Sequence, residues 1–252
     1  MLADEANIEL CQLVDFSLYL ADHQPSTLGG ISEDFIFAPR IDNLLSMYAG
    51  LEGLINSCNS DTLACDPNIR MLVGYDHEEV GSRSAEGAGS SFTEFIMRRL
   101  SNTQDHVTAF EEAIPKSMLL SADNCHAIHP NYPEYTETTM KVSLEGGPVI
   151  STSGSQNYAT NDITATIVRE LAAKVDLPVQ ESMGKNGDPA GSTIGPVLAG
   201  KLGVKTVDVG ASQLSMHSCR EMCGVLAPEQ CTFLYSTYFD HYPEVNENLE
   251  SD

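Results

Sequence analysis

The sequence predicts an α/β fold in three layers, an α/β/α sandwich whose central sheet is largely parallel and covered by helices on both faces. Three observations carry this expectation. Short apolar runs of strand length alternate along the chain with segments of helical periodicity, which favours parallel strands joined by crossover helices. Several acidic residues stand directly after such runs, where open sheets of this kind gather their ligands. The length, 252 residues, suffices for the core of one large domain.

The elements follow in order. Short extended segments are expected at Val14 to Tyr19 and Phe35 to Phe37, on either side of a turn region with Pro25 and Gly29-Gly30. His23, in that polar connection, is expected at the surface. From Asp42, the residues Leu44, Leu45, Tyr48, Leu51 and Ile55 recur at three- and four-residue intervals, the stripe of an amphipathic helix with Asp42 as its candidate N-cap. Arg70 to Tyr75 reads as a buried strand, and Ser91 to Glu94 as a capping box opening a helix to about Leu100. Met118 to Ala122 is the next strand, followed by Asp123 and a histidine-rich turn. Pro148 to Ile150 is a short strand, Ile163, Ile167, Leu171 and Val175 mark a helix, and Pro178 to Glu181 a strand after it. Gly191 to Pro196 leads into a helix with the proline in its first turn, and Lys205 to Val209 is a further strand. The last helix sets Cys231, Leu234, Tyr235, Tyr238 and Tyr242 on one side and is expected to stop before Pro243, leaving a frayed acidic tail.

Charge narrows the function classes. Lys and Arg total 13 against 36 Asp and Glu, a formal net charge of -23, which argues against a nucleic-acid partner because phosphate binding needs clustered cations. Seven cysteines without a CxxC pair favour reduced thiols, and Cys219 and Cys223 are expected to share a helical face. No run reaches membrane-spanning length and no signal peptide is visible, so a soluble, cytoplasmic protein with no membrane partner is expected.

The chemistry concentrates in Gly74-Tyr75-Asp76-His77-Glu78-Glu79-Val80-Gly81. Adjacent carboxylates at the edge of a core repel unless a cation or proton compensates them, so one glutamate can ligate a metal while the other handles a proton. A solvated acidic turn is the alternative that these residues alone leave open. Asp42, Glu78, Glu79 and Asp123 each follow a predicted strand and His217 lies in the loop after another, so one fold can bring all five to a common rim. Carboxylates and an imidazole around one point suit zinc, manganese or cobalt.

At these residues the chain resembles the aspartyl aminopeptidase family of two-zinc metallopeptidases. The motifs are FIFAPRIDN at 35 to 43, DHEEVGS at 76 to 82, SADNCHAIHPNY at 121 to 132, GPVI at 147 to 150, YATN at 158 to 161, GSTIGP at 191 to 196 and LSMHSCRE at 214 to 221. The resemblance implies a zinc-aminopeptidase fold of the phosphorylase/hydrolase-like type and release of N-terminal Asp or Glu from peptides by a metal-bound water. It implies that Asp42 bridges two Zn2+ ions, Glu79 and His217 complete one site, Asp123 belongs to the other, and Glu78 is the general base. Mn2+ or Co2+ are possible substitutes. His126 and Tyr158 match positions that contact substrate, and homo-oligomers are the family's assembly. Ser151 stands where the family has a lysine that pairs with the acidic substrate side chain. Gly184-Lys185-Asn186-Gly187 and Ala190 also differ from the family's usual Val-Arg-Asn-Asp and Cys. Against the family's length, 1–252 reads as a single catalytic-type domain, N-terminally incomplete and lacking the early His-x-Asp ligand, so one ion is expected firmly bound. The alternative function is a catalytically impaired, truncated homologue serving as a binding or assembly subunit.

Overall fold

Short extended segments pair into two sheets, one of them unforeseen. In the computed structural model, which describes residues 1–103, 105–185, 187 and 191–250, the helices are α1 (Leu2–Glu5), α2 (Ile41–Cys58), α3 (Phe92–Ser101), α4 (Ala109–Ala113), α5 (Asp162–Ala173), α6 (Ile194–Leu202) and α7 (Ala227–Glu250). The strands are β1 (Thr27–Gly29), β2 (Phe35–Ala38), β3 (Met118–Ser121), β4 (Cys125–His126), β5 (Val149–Thr152), β6 (Gln180–Met183), β7 (Lys205–Gly210), β8 (Ser212–Leu214) and β9 (Glu221–Gly224). One sheet has the order β3-β7-β5-β6, the other β1-β2-β9-β8-β4. In the first, β3 runs parallel to β7 and β5 parallel to β6, with β5 antiparallel to β7. The second is antiparallel except where β4 pairs with β8.

The four-stranded sheet is the middle of the expected sandwich. Side chains alternate across a strand, so Met118 and Leu120 of β3 join the main core with Val207 and Val209 of β7 and residues of α2, α5 and α7. Leu119 faces the other way, onto a second cluster built from Phe110, Ile114, Val204 and Leu202. Ile150, Ile167, Leu171 and Leu234 are completely buried, each stabilising the fold by about 1.5–3 kcal/mol.

Helix α2 forms where expected but turns its predicted stripe outward. Leu44, Tyr48, Leu51 and Ile55 are 46–57% exposed, whereas Leu45, Ala49 and Gly53, one turn apart, face the protein. Small side chains let α7 come close: a Cβ on Gly53 would stand 3.0 Å from Tyr235 Cβ and from the Ser236 nitrogen. Close backbone approach thus outweighs the hydrophobic area of the opposite stripe. Gly53→Val is expected to lower stability by about 1–3 kcal/mol through overpacking, read as a fall in the urea midpoint. An unchanged midpoint would mean that this contact does not constrain the helices.

Helix α7 does not stop at Pro243. Tyr242 and Val245 are buried on either side of it, the Tyr238 and Tyr242 hydroxyls donate to the carbonyls of Met118 at 2.6 Å and Lys116 at 3.0 Å, and Lys174 pairs with Glu244 at 2.9 Å. These contacts hold the last turns against the hydrogen bond that proline removes, and the frayed tail from Glu244 is corrected to helix.

Other expectations are corrected in the same way. Val14 to Tyr19 and Arg70 to Tyr75 join no ladder among the described residues. Arg70 is instead fixed by side-chain bonds to Asp66 at 2.8 Å and Asp240 at 3.0 Å. The Ser91 side chain makes no cap bond, because Ser90 Oγ accepts the Phe92 N–H at 3.2 Å and Glu94 is taken by Arg98. Cys219 lies in an exposed turn and Cys223 is buried in β9, so they share no helix. The described cysteines are free, His23 is exposed, and no described helix is long and apolar enough to cross a membrane. Ala190, one of the departures noted in the sequence, and Asn186, inside the 184–187 segment, lie outside the described residues.

Candidate metal centre

Each candidate ligand is delivered by a local chain reversal. Arg40 adopts a left-handed conformation at φ 58 and serves as the N-cap of α2, so Asp42 is not the cap but lies in the first turn, with non-helical dihedrals at itself and Asn43. The segment 76–89 folds back on itself: the Asp76 N–H donates to the Glu86 carbonyl at 3.2 Å, Ser82 to His77 at 2.9 Å, Gly81 to Glu78 at 2.9 Å and Gly89 to Ser82 at 2.9 Å. A Cβ on Gly87 would lie 2.7 Å from the Ser82 carbonyl carbon and oxygen, so the close return requires glycine there. After β8, Ser215 and His217 both take positive φ and the Ser218 N–H closes a turn onto the Ser215 carbonyl.

These reversals converge. His217 Nε2 stands 3.2 Å from Asp42 Oδ2 and 2.9 Å from Glu79 Oε1. One potential ligand atom from each of the three lies within 4.8 Å of the others, the one such group found among the described residues. The Asp42 side chain is 4% exposed, while Glu79 and His217 are about 60% exposed, so the group has a buried floor and an open rim.

Asp123 lies between β3 and β4 and is tied to the start of α2. Asn43 Nδ2 donates to Asp123 Oδ1 at 2.5 Å, and Asn43 Oδ1 accepts the Asn124 N–H at 3.0 Å. Asn124 Nδ2 in turn donates to the Ile41 carbonyl at 3.1 Å and to Gln213 Oε1 at 2.7 Å. Each asparagine beside one aspartate therefore grips the loop of the other. Glu221, 2% exposed, accepts the backbone N–H of Asp42 on Oε2 at 2.9 Å and that of His217 on Oε1 at 2.8 Å. Asn43, Asn124 and Glu221 lie inside the quoted motifs, which gave them no role. The repeated Asp-Asn pair at 42–43 and 123–124 is the one signal that pointed to the first two.

Electrostatics give the cluster its character. Burial, then repulsion from Asp123, Glu79 and Glu221, pushes the Asp42 carboxyl up to about 7. Burial, then Asp123 and Glu79, likewise pushes Glu78 up to about 7. Asp123 is also raised, chiefly by burial, against the bond from Asn43 that favours its charged form. Asp42 Oδ1 is buried with no hydrogen-bond partner. A buried oxygen lacking a donor, among carboxylates that resist shared ionisation, fits a divalent cation. Two carboxylates and an imidazole with an open fourth direction fit zinc.

The remaining candidates fall around this group. His126, on β4, has its pKa lowered by desolvation and by nearby His217, and Tyr158 is half-buried with its hydroxyl raised to about 12 by burial, then by Cys125, Asp123 and Asp208. Ser151 is buried in β5, with Asp208 and Ser182 as its partners on the neighbouring strands and the Cys125 thiol beside it. The loop carrying Tyr158 is anchored by Asp208, whose Oδ2 accepts the Ala159 N–H at 2.5 Å and whose Oδ1 accepts the Thr193 hydroxyl at 2.6 Å.

Comparison with known proteins matches residues 1–239 to the profile of aminopeptidase I zinc metalloproteases, M18. Aspartyl aminopeptidase of Caenorhabditis elegans is 43% identical over 250 residues, 99% of this chain and 53% of that protein. The cryo-EM structure of the Ape4 and Nbr1 complex superposes with a TM-score of 0.89 at 38% identity, covering 90% of this chain and 43% of the other. The mApe1 dodecamer of Saccharomyces cerevisiae superposes with a TM-score of 0.82 at 30% identity, covering 98% of this chain and 55% of the other. The chain spans about half the length of the curated relatives it matches.

Proposed function

Because this chain belongs to the aminopeptidase I zinc metalloprotease family, M18, we propose that it performs metallo-aminopeptidase chemistry, releasing N-terminal Asp or Glu from peptides. The observation that carries this reading is the convergence of Asp42, Glu79 and His217 with Glu78 alongside. Asp42, Glu79 and His217 would hold one Zn2+, with Mn2+ or Co2+ accepted by the same donors, and Asp42 and Asp123 offer two carboxylates towards a second ion. When bound, zinc supplies Lewis acidity to the scissile carbonyl and to an attacking water. Glu78, with its pKa brought towards neutrality, takes the proton of that water and returns it to the leaving amine. The neutral His126 ring and the protonated Tyr158 hydroxyl are suited to donate hydrogen bonds to the substrate at the rim. The acidic preference draws on relatives named aspartyl aminopeptidase, with Ser151 adding no positive charge. Homo-oligomeric assembly draws on the dodecamer formed by the Saccharomyces cerevisiae relative.

The test pairs zinc content per chain after exhaustive dialysis with hydrolysis of an aspartyl anilide. One firmly held ion per chain and zinc-dependent release of aspartate are expected, both lost in His217→Ala. Zinc held without any hydrolysis would favour a binding or assembly subunit built on the same centre.

A further inference from the structure

We infer that Glu221 is the positioning residue of the metal centre, setting the backbones of Asp42 and His217 at once through its two carboxylate oxygens. This deepens the metallo-aminopeptidase reading and rests on it.

The placement follows from sheet order. Strand β9 lies between β2 and β8, with Ala38 opposite Glu221 on one side and Leu214 opposite Met222 on the other. Asp42 follows the end of β2 and His217 follows the end of β8, so both ligands leave the sheet on flanking strands and Glu221 begins the strand between them. Both departures are irregular: Asp42 has non-helical dihedrals and His217 takes φ 65. An amide in such a reversal is not served by a ladder or a helical turn. Glu221 serves both, at 2.9 Å to the Asp42 N–H and 2.8 Å to the His217 N–H, from a side chain 2% exposed. Charge-assisted bonds to backbone amides are short and directional, so the two oxygens fix the spacing between the ligand-bearing main chains. Aspartate is one methylene too short to span both, and glutamine turns one acceptor into a donor facing an N–H.

The test is zinc affinity by chelator competition on the full chain, with zinc alone as ligand, for parent, Glu221→Gln, Glu221→Asp and His217→Ala. Far-UV circular dichroism identifies the folded fraction. Glu221→Gln and Glu221→Asp are expected to keep the fold and bind zinc about 10–100-fold more weakly, as when partners behind metal ligands are removed. A purely scaffolding role would lower the folded fraction or the melting temperature and leave the affinity of folded molecules unchanged. If Glu221→Gln does not fold, the decision passes to Glu221→Asp, which keeps the buried charge. Affinity within threefold of the parent in the folded variant, with His217→Ala defective, overturns the inference while sparing the metal centre. Parent affinity in His217→Ala overturns both.

Discussion

Glu78→Gln is expected to reduce aspartyl anilide turnover by the zinc-loaded chain by about 10²–10⁴-fold, the usual contribution of a positioned general base. The amide is nearly isosteric, so the loss isolates proton transfer from packing. Zinc content is expected to stay at the parental value, because Glu78 lies outside the three-donor group of Asp42, Glu79 and His217. Glu79→Ala should do the reverse at the metal, releasing zinc because one of three donors is gone. The two adjacent glutamates thus separate by experiment: near-normal turnover with reduced zinc in Glu78→Gln would exchange their roles.

The metal-free chain is expected to lose stability as pH rises from about 5 to 7.5, the opposite of an acid-denatured protein. Asp42 and Glu78 are both raised to about 7 in the folded state, from 3.8 and 4.5. Between those limits the folded chain binds more protons than the unfolded one, so the stability these groups provide when protonated is lost on passing through the folded pKa values. For the buried Asp42 the shift corresponds to about 1–3 kcal/mol after allowing for the open, screened rim. Zinc takes the place of those protons and should remove or invert the trend, adding stability with its own binding free energy. Urea midpoints across that range, with chelator and with excess zinc, make the comparison. A chelated chain that grows steadily more stable towards pH 7.5 would contradict the assigned crowding of carboxylates.

The site was legible to the extent that charge at the ends of apolar runs is informative. Asp42, Glu79 and His217 are conspicuous because acidic or imidazole side chains gathered after apolar runs need a reason, and the structure brings those three together. Asp123 also sits at a strand end, tied to the same loop by Asn43. What escaped sequence reading acts through the main chain. Glu221 and Asn124 contribute bonds to backbone groups of distant segments, and no spacing rule connects residue 221 to residue 42. The exposed stripe of α2 escaped for a different reason. Periodicity counts hydrophobic area, whereas the α2–α7 contact is set by how near two backbones can come at Ala49 and Gly53. Strands β8 and β9 were missed because each is short and interrupted by a polar turn, with Gln213 and Glu221 buried through hydrogen bonding rather than apolar character.

The three-donor group also bears on the order in which the molecule assembles. Asp42, Glu79 and His217 come from three remote parts of the chain, and the backbones of Asp42 and His217 are held together by Glu221. Contacts of such long sequence separation carry the largest loop-closure cost and form after local helices have appeared. A zinc site built on these three donors would therefore be absent from a partly folded chain that lacks the 212–224 hairpin, however much helix it contains. Metal capture during refolding becomes a timer for the last long-range step, lagging the recovery of helical signal and marking when the polypeptide first becomes competent.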